Sequence, residues 1–163
     1  MFLLLKGRLY SNAYMKKYHF SSKLSTNYRE ALEELLLFNK KQADYIEDIE
    51  KSIEEFGAPR VVTEGETLRI KIGAIDDVQC LFALNSKTED ANLIGLIIYF
   101  RCALNNIRVL HIAVDKDYAF DGKFSAQNLT WQLIGKVRES ALKIKGIESL
   151  SIAYRRITFP IRE

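Results

Sequence analysis

The chain is poor in the residues that build stapled or metal-held folds. Its 163 residues include two cysteines and two histidines. Cys80 and Cys102 each lie in an apolar stretch without a C-x-x-C partner, so they define no disulfide framework. Both read as buried thiols of a reducing compartment. His19 and His111 are far apart and fit no H-x-x-x-H or H-E-x-x-H spacing, so no metal site is expected. Two prolines and eight glycines exclude collagen-like and low-complexity classes. Charge of one sign is also scarce. The formal net charge of +3 is too weak to predict a nucleic-acid partner, and no RNP-like interleaving of aromatic and basic residues is present. No apolar run reaches the roughly 18 residues of a membrane span. The opening MFLLLKGR holds only a four-residue apolar run, short for a signal-peptide core. No membrane association is predicted, and a cytoplasmic location is the expectation. P-loop, G-x-S-x-G and dinucleotide-binding glycine patterns are absent.

What is present is an ordinary globular composition, 48% hydrophobic and 28% charged. A chain of this size buries about 70% of the surface its unfolded form exposes, enough for one core without staples. A single domain over 1–163 is expected. Residues 1–14 form a lead-in (Met15-Lys16-Lys17 reads as a second start), 27–57 a helical part, and 61–163 a sheet core. Charge is uneven along the chain. Residues 1–57 carry nine basic and nine acidic side chains, whereas 136–163 carry seven and three. The basic excess reads either as a solvated face or as a surface for an anion such as phosphate.

A short strand is expected within 14–20. Asn27, with Glu30 three residues on, has the spacing of a capping box. Gly57 and Pro59 are stop signals for the helical part. Between them Leu32, Leu35, Ile46, Ile49, Ile53 and Phe56 follow a heptad-like stripe, interrupted by Asn39 and Gln42. One unbroken helix would be about 43 Å long. The stripe is therefore either a coiled-coil arm or two helices parted near 39–43, with Asp44 and Glu47 capping the second.

From 61 the period changes. Residues 67–74 alternate, with Leu68, Ile70 and Ile72 on one face, and 78–84 follow after Asp76-Asp77, which predicts an antiparallel hairpin. Residues 93–104 are apolar on both faces, the signature of a central strand. Asn105-Asn106 is a turn signal before a strand over 107–114. The polar loop 115–127 leads to an amphipathic helix over 128–146, with Leu129, Leu133, Ile134, Val137, Ala141 and Ile144 inward and Gly146 as its stop. A further strand, 147–154, should run parallel to 107–114 across that helix. Pro160 makes the tail an edge strand or coil. Tyr99, Phe100 and Trp131 read as packing residues, and Arg155-Arg156 as a solvated strand end.

The run IRVLHIAVDKDY, the loop, the helix and IESLSIAY together resemble the core of the GNAT superfamily of acyl-CoA-dependent N-acetyltransferases, over about residues 66–154. The resemblance implies an α+β fold: a mixed, mainly antiparallel sheet of five or six strands with helices on both faces. It implies acetyl-CoA as cofactor and an amine, unidentified, as acceptor. In this family the two strands flanking the helix part, and the pantetheine arm lies in the gap, here against Ile112, Ala113 and Val114. The family's phosphate loop, [QR]-x-x-G-x-[GA], registers on Asp121-Gly122-Lys123-Phe124-Ser125-Ala126. Gly122, Lys123, Phe124, Ser125 and Ala126 are therefore the implied pyrophosphate residues, although only Ala126 fits the pattern. The helix start behind them turns its positive dipole end to the phosphates.

No catalytic residue is assigned. Many family members place a carboxylate six residues before the strand-end Val, where this chain has Arg108, a permanent cation. Their acid is often a Tyr on a helix after the fifth strand, whereas Tyr154 lies on that strand. His111 is the nearby imidazole, and a lone strand histidine is most simply structural. Two readings stand beside the transferase: a catalytically inactive module of the same fold, and an interaction protein working through the stripe from Leu32 to Phe56. A homodimer is expected from an exposed sheet edge near 150–160.

Overall fold

The computed structural model describes residues 17–37, 46–153 and 157–161. The larger of two sheets has six strands, in the order β1 (His19–Ser21), β5 (Gln79–Leu84), β6 (Leu93–Ala103), β7 (Asn106–Val114), β8 (Ser149–Ile152) and β9 (Ile157–Pro160). The smaller sets β4 (Thr67–Ile72) between β2 (Leu24–Ser25) and β3 (Pro59–Glu64). The helices are α1 (Arg29–Leu37), α2 (Ile46–Phe56) and α3 (Leu129–Leu142). All neighbours in the larger sheet are antiparallel except β7 and β8, which run parallel and are joined through α3. The architecture is thus α+β, with a mixed, mainly antiparallel sheet.

β6 and β7 are apolar on both faces, so both faces must be covered. On one, Leu129, Leu133, Val137 and Ala141 of α3 bury against Ile97, Val109, Val114 and Leu150. On the other, Phe82, Leu96, Ile98 and Leu110 meet Leu32 and Leu36 of α1 and the alternating Leu68, Ile70 and Ile72 of β4. Helices therefore lie on both faces, and the smaller sheet shares one face with α1. Arg29 ties α1 to β3, donating to Thr63 Oγ1 at 2.6 Å and pairing with Glu33 at 3.2 Å.

That placement corrects the expected hairpin of 67–74 with 78–84. The two strands lie in different sheets. After Ile72 the chain makes a bridge to Ile75 and crosses to the larger sheet. The alternation identified which side of β4 is buried but not its partner strand. Its hairpin partner is β3, through a two-residue turn closed by the Glu64–Thr67 pair. Gly65 in that turn has φ +61°, as a type II′ hairpin requires at its first central position. Capping also differs. Ser25 Oγ accepts from the Asn27 N–H at 3.4 Å and caps a 3-10 turn, Thr26–Tyr28, that leads into α1. Asn27 is inside that turn, so it is not the N-cap.

Gly57 ends α2 with φ +95° and donates its N–H to the Ile53 carbonyl at 2.8 Å. α1 and α2 are separate described helices; the interval 38–45, with Asn39 and Gln42, and the lead-in 1–14 lie outside the described residues. So do Tyr154, Arg155 and Arg156. α3 stops at Leu142, four residues before Gly146, whose φ of +86° serves the turn into β8. The expected edge near 150–160 belongs to β9, because β9 pairs along the whole of β8. Cys102 is exposed, contrary to expectation, because it lies near the solvent-facing end of β6. Cys80 is packed from one side, and burial pushes its thiol up to about 12.

Gly95 shows how closely α3 approaches the sheet. A Cβ there would lie 3.2 Å from Leu129 Cδ2, 3.3 Å from Leu133 Cδ1 and 3.3 Å from the Ala113 carbonyl oxygen. A glycine within an apolar strand is a sequence sign of such an approach. Gly95→Val is expected to lower unfolding free energy by about 1–3 kcal/mol by pushing α3 outward. Urea denaturation checks this, and an unchanged midpoint would refute the close contact.

Candidate functional site

The implied cofactor residues fall on the end of β7 and on the loop from Asp115 to Asn128. β7 changes register against β6 in its middle: Val109 faces Tyr99, yet His111 faces Ile98, so Leu110 is an extra residue, a β-bulge. Bulges sharpen twist and bend a strand. Pairing with β8 stops at the same place. Its register runs from Asn106–Ser149 to Val109–Ile152, and the Ala153 N–H closes it on the Val109 carbonyl at 2.9 Å. β8 then turns back as β9, beginning at Ile157 opposite Ile152. β7 continues along β6 to Val114. Ile112, Ala113 and Val114 thus lie beyond the β8 pairing, with the first turns of α3 over Gly95 and Ala113.

The loop closes on itself. Asp115 Oδ1 accepts from the Asp117 N–H at 3.0 Å and caps a 3-10 turn over Lys116–Tyr118. The Phe124 N–H donates to the Asp117 carbonyl at 2.6 Å, Ser125 to Gly122 at 3.1 Å, and Gly122 to Ala119 at 3.0 Å. Three of the five implied loop residues therefore spend their N–H groups inside the loop. A Cβ on Gly122 would collide with the Lys116 carbonyl oxygen and lie 2.5 Å from the Asp117 carbonyl group, so only glycine permits this closure. Ser125–Gln127 forms a second 3-10 turn. Asn128 then enters the left-handed region at φ +51° and starts α3 without a side-chain cap bond. The first-turn N–H groups of α3 have no carbonyl one turn earlier in the helix to receive them.

Aromatic rings brace the loop. Tyr18 and Tyr118 meet edge to face at 5.6 Å, and the Tyr118 and Phe124 rings lie 5.0 Å apart, tilted by 34°. Burial, then the neighbouring Tyr118, pushes the Tyr18 hydroxyl up to about 12. Burial also raises Tyr118, helped by Asp115 and Asp117. Lys123 Nζ stands 5.1 Å from the Phe124 ring centre. Ala126 is exposed in the second turn.

His111 and Arg108 are committed elsewhere. His111 is buried beside the bulge, and burial lowers its pKa to about 4, so the ring is neutral near pH 7. Arg108 stands over the Phe56 ring at 5.2 Å and 3.9 Å from Glu55. No group of His, Cys, Asp and Glu suited to a metal ion occurs among the described residues. None of the described helices is long and apolar enough to cross a membrane. Sequence reasoning did not find the bulge, the close approach at Gly95 or the left-handed Asn128. Gly95 carried a signal in the sequence; the bulge carried none. Comparison with protein-family models, curated proteins and solved structures finds no match to this chain.

Two outcomes follow. Gly122→Ala is expected to reopen the loop, costing about 2 kcal/mol and reducing the near-ultraviolet circular dichroism of the Tyr118–Phe124 pair; an unaltered spectrum would contradict the closure described. The His111 pKa is lower folded, about 4, than its ordinary value of 6.5. Its contribution to stability is therefore complete above pH 6.5 and is lost as pH falls from 6.5 towards 4, by roughly 3 kcal/mol in the limit. Urea midpoints measured across this window should fall less steeply for His111→Gln than for the parent; equal slopes would refute the assignment.

Proposed function

We propose that the chain is a GNAT-like protein that binds acetyl-CoA and transfers its acetyl group to an amine. One observation carries the reading: β7 extends from Leu110 to Val114 beyond its pairing with β8, with the start of α3 above that extension. In this reading Ile112, Ala113 and Val114 flank the pantetheine arm. Two features favour a pyrophosphate, the start of α3 without a side-chain cap bond and the exposed cation Lys123 in the loop, while the exposed Asp121 of the same loop opposes it. Because Gly122, Phe124 and Ser125 spend their N–H groups within the loop, the helix start and Lys123 carry most of the phosphate binding. Bound acetyl-CoA supplies an acetyl group already activated as a thioester. The chain contributes binding and orientation.

A second reading, the same fold binding without transfer, draws on the state of the two nearby polar residues of β7. His111 is buried and neutral, and Arg108 is a cation held at Glu55 and Phe56. Neither offers a proton acceptor to an amine at the end of β7.

Isothermal titration calorimetry with acetyl-CoA, CoA and ATP tests the shared part. Micromolar binding of acetyl-CoA, weakened about tenfold by Lys123→Glu, is expected. No heat at millimolar acetyl-CoA would end both readings. Thiol release with a panel of amines then separates transfer from binding alone.

A further inference from the structure

α2 is amphipathic but poorly covered. Ile46, Ile49, Ile53 and Phe56 recur on one side of its eleven residues, yet none of its residues is buried. It is fastened at one end. Phe56 meets Phe100 edge to face at 5.7 Å, and Arg108 lies over the Phe56 ring and 3.9 Å from Glu55. Outside that contact Ile46, at the other end, is 50% exposed, and Ile53, one turn before Phe56, is 40% exposed. At 100° per residue, Glu47, Glu50 and Glu54 border these two isoleucines, and all three are exposed.

The outward side of α3 is apolar too and carries mainly the opposite charge: Glu139 there is paired with Lys136 at 3.0 Å, Arg138 also donates to the Ile161 carbonyl at 3.4 Å, and Trp131 meets Phe159 at 6.0 Å along one side. Trp131, Gly135, Arg138 and Leu142 follow one another there at successive turns, and Trp131 and Leu142 are 56% and 46% exposed. Ile144 continues the patch beyond the helix end, and Lys143 and Lys145 flank it, both exposed. Gly135 meets no close neighbour among the described residues that would call for a glycine. A Cβ there would meet nothing within 4 Å, while glycine inside a helix costs about 1 kcal/mol relative to alanine. A bare position on an outward helix face lets another backbone come close. From Trp131 to Leu142 is about 16 Å, the length of an eleven-residue helix.

We propose that α2 of one copy docks along the outward face of α3 in a second copy. Ile46 and Ile53 then sit between Trp131 and Leu142, and Glu47, Glu50 and Glu54 face Arg138, Lys143 and Lys145. The second copy is the fitting occupant because the chain carries both halves of the match. Both halves also border the same end of the larger sheet. Phe56 reaches Phe100 and Arg108 near the turn at Asn105, and just past α3 a Cβ placed on Gly146 would lie 4.0 Å from the Leu104 carbonyl oxygen in that turn. α2 and α3 pack on opposite faces there, and reciprocal docking makes a twofold pair with two identical helix contacts. This inference does not depend on acyl-CoA binding.

Charge reversal with complementation tests it, read by sedimentation equilibrium over a concentration series. The parent should dimerise, more weakly as salt rises. The double variants Glu50→Lys/Glu54→Lys and Lys143→Glu/Lys145→Glu should each bind themselves at least about tenfold more weakly. All four positions are exposed, and circular dichroism checks that both variants fold. Mixed in equal amounts, the two variants should restore a dimer, because each contact again pairs opposite charges. A parent that stays monomeric overturns the proposal. So does a dimer indifferent to both reversals, or a mixture that fails to reassociate.

Discussion

The β6–β7 ladder governs the molecule. Its two strands are the longest in the sheet and bury side chains on both faces over Ile94–Ile98 and Val109–Val114. A sheet apolar on both sides is unstable until both sides are covered. α3 provides one cover, and α1 with the smaller sheet provides the other. The parallel crossover follows from the first requirement, because a helix linking two strands of one sheet must lie across its face. The separate small sheet follows from the second. β4 offers a row of Leu68, Ile70 and Ile72, and that row is more useful laid on Phe82, Leu96 and Ile98 than added to the sheet edge.

The same constraint bounds the candidate site. Leu110 is squeezed out as a bulge where pairing with β8 ends, and the bend leaves the last residues of β7 under the start of α3. His111, next to the bulge, belongs to the buried middle, so the imidazole nearest the site is structural. What remains at the surface is a helix start without a side-chain cap bond and a self-bonded loop that exposes Lys116, Lys123 and Asp121.

Legibility in the sequence followed burial. The strands at 78–84, 93–104 and 107–114 and the helix near 128–142 were readable because each buries a regular row. β3 was not, because none of its residues is fully buried and its apolar pair, Val61-Val62, has no period. The partner of β4 was not readable either, since alternation records which side faces the core and leaves the neighbouring strand open. In the site, the residues of the loop could be named in advance but not the destination of their N–H groups. That depends on Gly122 lying against Lys116 and Asp117, a contact between segments with no pattern of their own.

β1 pairs with β5 through only three residues, and the whole of α1, α2 and the smaller sheet lies between them in the chain. Closing a flexible loop of roughly sixty residues would cost more entropy than so short a ladder returns. The strand can hold its place only because the intervening segment is already folded against the same sheet. β1 is therefore a dependent element, whose attachment reports on everything inserted before β5. Its neighbour Tyr18 is bonded to Tyr118, so loosening of that insertion reaches the loop at the end of β7 through β1.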